Sequence, residues 1–127
     1  MGSIEENKAL ARRYSDAWST RDIAVFEEIL APDFVDYMLG KPRSRQQLLV
    51  DAGNALLKDI RQEIDAIVAE GDTVAVHYAT TATHTATARP ISFTGMFILQ
   101  IADGKIVGGW GEYDRLTIRE QISGAEP

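Results

Sequence analysis

Apolar positions recur at helical spacing over roughly the first sixty residues and then switch to alternation. That change of period predicts helices followed by strands. Ile4, Leu10, Ala11, Tyr14, Ala17 and Trp18 share one side of a first helix. Ser3 and Glu6 fit a capping box at its start, where hydroxyl and carboxylate each satisfy a free backbone donor. A second helix is expected from Asp22 to Leu30, with Ile23, Phe26, Ile29 and Leu30 inside and Pro32 ending it. Phe34–Tyr37 reads as a short extended piece and Gly40–Arg43 as a loop. Ser44 is placed to cap a third helix carrying Leu48, Leu49, Ala52, Leu56, Leu57 and Ile60.

Strands are expected at Arg61–Ala69, Thr73–Ala88, Ile91–Ile101 and Lys105–Leu116. Glu70-Gly71-Asp72, Arg89-Pro90 and Asp103-Gly104 supply the turns between them, the last being the strongest hairpin signal. Gly124–Pro127 reads as a frayed tail. Without repeats or linkers, residues 1–127 make one domain. Helices first and antiparallel strands second give an α+β fold, three N-terminal helices packed on one face of a curved sheet.

Composition narrows the function. A net charge of −6 and a pI near 4.8 disfavour nucleic acid and anionic membranes, which reward clustered Lys and Arg. The chain lacks cysteine, so thiolate chemistry is excluded. No run approaches the ~20 apolar residues of a spanning helix, and Met1–Glu6 has no basic-then-apolar leader, so a cytoplasmic protein is expected. There is no Gly-x-Ser-x-Gly and no phosphate loop. His77 and His84 fall on opposite faces of their strand, and no His/Asp/Glu set has ligand spacing, so no metal is expected.

If Asp103-Gly104 and Arg89-Pro90 both turn tightly, Phe97 opposes Trp110, Gly95 opposes Glu112 and His84, and Phe93 opposes Asp114. One face then carries Val76, Tyr78, His84, Phe93, Phe97, Leu99, Trp110, Glu112 and Asp114, with Gly95 leaving a gap at its centre. A bulge in either hairpin would reverse the faces. Asp114, an acid among aromatics, is the candidate proton shuttle, because apolar surroundings raise a carboxyl toward useful acid/base values. His84 is the candidate assistant. Tyr14 and Trp18, one turn apart on the first helix, and Phe93, Phe97, Trp110 and Glu112 are candidate substrate contacts. Asp36 and Tyr37 stand at the expected mouth, one of them facing inward. The opposite face, with His77, Thr81, Thr83, Thr85, Thr94, Met96, Ile98, Gln100, Val107 and Tyr113, suits contact with a second copy, and a homodimer through the sheet is expected.

Ala31-Pro-Asp-Phe-Val-Asp-Tyr37, Thr83-His84-Thr85, Phe93-Thr-Gly95 and Ile101-Ala-Asp-Gly-Lys-Ile106, followed by Trp110 and Asp114, resemble the SnoaL-like polyketide cyclases of the nuclear-transport-factor-2-like superfamily. The resemblance runs from about Glu5 to Ile122. It implies a cone-shaped (cystatin-like) fold and cofactor-free ring closure of the aldol type, with the acid at Asp114 as general acid/base. It implies a small hydrophobic polyketide- or terpenoid-like substrate. The chain departs from the common pattern at Tyr37, at Ala86-Thr87-Ala88 and at Gln100. A second reading is steroid-isomerase-like proton transfer, with Tyr14 as oxyanion donor and Asp36 as base. A third is a small-molecule-binding dimer module without catalysis. Epoxide hydrolysis through an Asp–Arg–Asp network is disfavoured, because Arg115 points away from Asp114.

Overall fold

A computed structural model describes residues 2–124. The chain runs α1 (Ile4–Thr20), α2 (Ile23–Ile29), β1 (Leu30–Met38), β2 (Lys41–Ser44), α3 (Arg45–Ala52), β3 (Leu57–Glu70), β4 (Thr73–His84), β5 (Pro90–Ala102), β6 (Lys105–Tyr113) and α4 (Arg115–Ser123). Both bonds of the Ser3–Glu6 capping box form. Asp22 and Ser44 cap α2 and α3 through the backbone N–H groups of Val25 and Gln47. The six strands form one sheet in the order β2-β1-β6-β5-β4-β3. Its pairings are antiparallel except β1 with β6, which is parallel. The core between helices and sheet contains Phe26, Ile29, Leu30, Phe34, Leu48, Val74, Val76, Leu99 and Ile106. Burying side chains of this size stabilises the fold by roughly 1.5–3 kcal/mol each before conformational entropy is subtracted.

Four expectations about the elements are corrected. The third helix stops at Ala52, because Gly53-Asn54 ends it, and Leu57 and Ile60 belong to β3. Residues 41–44 are an edge strand, with Asp36 opposite Arg43, instead of a loop. The fourth strand stops at His84, where Thr85–Arg89 forms a loop closed by bonds between His84 and Arg89 and between Ala88 and His84. The last strand ends at Tyr113, and a fourth helix follows it. Asp114 starts that helix and Gly124 ends it at φ 74°, a left-handed conformation suited to glycine. The expected frayed tail lies, beyond Gly124, outside the described residues.

The decisive correction is one residue in β6. Ala102 pairs with Lys105 and Ile101 with Ile106, as a tight turn requires, but Gln100 then pairs with Gly108. Val107 is the extra residue of a β-bulge, and the period-2 rule carries the shift along the strand. Phe97 therefore opposes Gly111 and Gly95 opposes Tyr113. Trp110, Glu112 and Asp114 leave the inner face, and Tyr113 joins it. Glycine permits this path. Gly109 has φ 150°, and a Cβ there would sit 1.9 Å from the Ile98 carbonyl oxygen. The β4–β5 hairpin is also longer than expected, with Tyr78 opposite Gly95 and Val76 opposite Phe97. That slip is an even number of residues, so Val76, Tyr78, His84, Phe93, Phe97 and Leu99 keep the inner face.

Candidate active site

Between the concave face of the sheet, α1, α3 and α4 lies a cavity of about 650 Å³. That volume suits a small organic molecule. Tyr14 and Trp18 enter from α1, Tyr78, Thr80 and His84 from β4, Phe93 and Phe97 from β5, Tyr113 from β6, and Ile118 and Ile122 from α4. On β4 the lining residues share one parity and on α4 they lie one turn apart, as the two backbone periods require, while β5 adds Met96 from its other parity.

The aromatic wall is built from two groups of packed rings. Tyr14 packs edge-on against Trp18, Phe26 and Phe97, with ring centroids 6.1, 5.7 and 5.0 Å away. Tyr78 lies 5.9 Å from Phe97, and Tyr113 lies 5.9 Å from Phe93. The Tyr78 ring passes over Gly95, whose missing side chain would otherwise put a Cβ 2.4 Å from the Tyr78 hydroxyl. The expected gap at Gly95 is thus filled by tyrosine.

The polar end of the cavity is built on the β1–β2 hairpin. Parity turns Asp36 inward and Tyr37 outward, and Arg43 opposes Asp36 across the hairpin. The guanidinium grips both oxygens of Asp36, Nε to Oδ1 at 2.9 Å and one terminal nitrogen to Oδ2 at 2.6 Å. Its other terminal nitrogen reaches Asp51 Oδ2 at 3.3 Å. Trp18 lies beneath, its ring centroid 5.7 Å from the guanidinium carbon, a cation–π contact. Burial pulls the Arg43 pKa down, but the bonds and charge of Asp36 outweigh it, so the group is held more firmly cationic than usual. Burial pushes the Tyr14 phenol up against the opposing pull of Arg43, so it stays a neutral donor. Tyr78 is pushed up by burial in the same way.

His84 lines the cavity at the end of β4. Its Nδ1 meets the Thr87 hydroxyl at 2.7 Å, which fixes the ring and leaves Nε2 without a hydrogen-bond partner among the described residues. Gln62, also on the cavity wall, is anchored to Ser15 at 2.9 Å. His77 lies on the other face, paired with Asp65 at 2.6 Å.

Tyr14, Trp18, His84, Phe93 and Phe97 thus meet in one cavity, as the sequence suggested. Asp114, Tyr37, Trp110 and Glu112 do not line it. Tyr37 is excluded by strand parity, the other three by the Val107 bulge. Asp114 is exposed and caps α4, accepting from the Thr117 hydroxyl at 2.7 Å and from the Thr117 N–H at 3.0 Å. Those two bonds hold its carboxyl below the usual range, the opposite of the rise a greasy chamber would cause. Asp36, the base of the isomerase reading, spends both oxygens on Arg43. An Asp–Arg–Asp cluster does exist, but it is Asp36–Arg43–Asp51 and not one around Arg115. Arg43 was missed because residues 40–43 read as a loop. Its signal was the Asp36-to-Arg43 spacing around the Gly40 turn, which makes them a cross-strand pair.

Comparison with curated proteins gives no match. Among solved structures, AclR of Streptomyces galilaeus, a candidate hydroxylase, superposes with a TM-score of 0.89 at 25% identity, covering 98% of this chain and 85% of that one. A candidate polyketide cyclase of Bacillus cereus gives 0.84 at 28% identity over 95% and 83%. IdmH of Streptomyces antibioticus, another candidate polyketide cyclase, gives 0.83 at 25% identity over 92% and 98%. The sequence profile of the SnoaL-like polyketide cyclases matches residues 8–122, and the chain belongs to that family, with its nuclear-transport-factor-2-like fold.

Proposed function

We propose that the chain is an enzyme performing cofactor-free acid/base chemistry, an aldol-type ring closure or a related isomerisation, on a small hydrophobic polyketide- or terpenoid-like ketone. One observation carries this reading. A histidine with a free ring nitrogen, a buried neutral phenol and a buried guanidinium all line the same aromatic cavity. His84 Nε2 takes the proton from the carbon next to a carbonyl. The resulting enolate oxygen is stabilised by the Tyr14 O–H and the Arg43 cation, donors already in place in a site of low dielectric. The enolate carbon then either recovers a proton from His84 or attacks a second carbonyl. In the second case His84 returns its proton to the new alkoxide, so no oxidant, metal or cofactor enters the balance. Asp36 does not touch substrate in this scheme; it fixes Arg43.

The test is proton exchange at the α-carbons of 2-tetralone in deuterated buffer, followed by proton NMR. The chain is expected to accelerate it. His84→Asn should lower the catalysed rate by roughly 10²–10⁴-fold, the usual worth of general acid/base catalysis. Tyr14→Phe should lower it by about 10²-fold, the lower end for one oxyanion donor. Binding of the ketone without accelerated exchange would favour the non-catalytic module.

The same reading includes a homodimer joined through the outer face of the sheet. What supports it is a row of apolar side chains in cross-strand register, Tyr37 beside Trp110, Trp110 beside Ile98, Ile98 beside Ala75 and Ala75 beside Val68. Tyr37, Trp110 and Val68 are exposed, and contiguous exposed apolar surface marks an interaction site.

A further inference from the structure

The charge of the cavity runs against that of the chain. The sequence has 19 acidic residues for 13 Lys and Arg, yet the cavity is lined by Arg21, Arg43, Arg115 and Arg119 and by one carboxylate, Asp51. Arg43 is already ion-paired at the inner end, with Asp36 and Asp51. The other three arginines make no ion pair among the described residues.

Their placement is built. Arg21 follows α1 in a left-handed conformation, φ 54°, and donates to the Asn54 carbonyl at 2.7 Å, which holds its guanidinium at the cavity wall. Arg115 and Arg119 lie one turn apart on α4, on the side that also carries Ile118 and Ile122 toward the cavity. The helix is fastened to β5 by two bonds between Gln121 and Ser92, at 2.8 and 2.9 Å, and to the end of β6 by the Asp114 cap. Asp114 thereby becomes a positioning residue for two cations. A guanidinium at the edge of an apolar cavity attracts a carboxylate through paired, charge-assisted hydrogen bonds that water weakens less there than in the open.

We infer that the substrate is a flat hydrophobic acid. Its apolar body lies against Tyr14, Phe93, Phe97 and Tyr113, and its carboxylate meets Arg115 and Arg119 of α4, with Arg21 facing the same space. This rests on the cavity being the substrate site, and it adds a substrate class that acid/base chemistry alone does not require.

The test uses two probes of similar shape, 2-naphthoate and the neutral 2-acetonaphthone, titrated into the full chain at pH 7 with amide NMR shifts as readout. The native chain should bind the carboxylate about tenfold tighter at low salt, with the preference shrinking as ionic strength rises. In the Arg115→Gln/Arg119→Gln variant the preference should fall to about twofold or less. Both positions are exposed, so circular dichroism should confirm an unchanged fold. Equal affinity of the two probes, tighter binding of the ketone, or a carboxylate preference that survives in the double variant would overturn the inference. His84→Asn should keep the preference while losing proton exchange, so failure of the substrate class and failure of the chemistry are read separately.

Discussion

Asp36 lies on β1 and Asp114 lies just past the end of the parallel neighbour β6, and they end in opposite circumstances. Asp36 is 3% exposed and locked to a guanidinium. Asp114 is in solvent and locked to the first turn of a helix. Both carboxylates are fully engaged, one in holding a cation at the cavity and the other in holding a helix beside it. An acid in a promising sequence neighbourhood is therefore not yet a base. The base that remains free in the cavity is the histidine Nε2, and Tyr14 and Tyr78 are neutral donors.

The contrast breaks most severely at Asp36. Asp36→Asn leaves the buried Arg43 with only its longer contact to Asp51 and should cost about 3 kcal/mol of stability, the lower end for breaking a buried pair, seen as a fall in the urea midpoint. The paired change Asp36→Leu with Arg43→Met, which removes both charges, should cost less than either single change, as a double-mutant cycle would show.

On the Asp114 side of β6, the next largest effect concerns the outer face. Trp110→Glu places a charge in the middle of the apolar row and should weaken self-association at least about thirtyfold, measured by sedimentation. A chain that is monomeric before the substitution would remove the dimer from the account.

The smallest effect sharpens the role of Asp114 itself. Hydrogen bonds from the Thr117 hydroxyl and amide lower its pKa below the ordinary 3.8. A group lowered on folding stabilises above its unfolded value and loses that contribution as pH falls through the lowered one. The first turn of α4 should thus be held at pH 6 and loosen below about pH 4, with Thr117 amide exchange rising about fivefold beyond the intrinsic pH trend. Asp114→Asn should abolish that pH dependence while keeping much of the cap.

Much of the fold was legible. The three N-terminal helices and the inner-face residues of β4 and β5 followed from period and from the Ser3 and Ser44 caps. The parity of Tyr78, His84, Phe93 and Phe97 survived a wrong hairpin length because the slip was even. The parity of Trp110, Glu112 and Asp114 failed because the slip in β6 was odd. A bulge leaves only a faint trace in sequence, here Val107 before Gly108-Gly109, whose Gly108 would clash with the Val35 carbonyl if it carried a Cβ. The fourth helix was missed although its cap and its closing glycine were visible. None of its residues is buried, and its two cavity-facing apolar residues, Ile118 and Ile122, are too few to announce a helix. Arg43 was hidden because a four-residue edge strand has too few positions to show alternation.

The central claim is that proton transfer belongs to the imidazole inside the cavity and not to the carboxylate that caps α4. The most direct measurement is deuterium exchange of 2-tetralone by the native chain, His84→Asn and Asp114→Asn, compared side by side. The account predicts near-complete loss of the catalysed rate in His84→Asn and a rate within about threefold of native in Asp114→Asn. A catalysed rate that collapses in Asp114→Asn and survives in His84→Asn would contradict it.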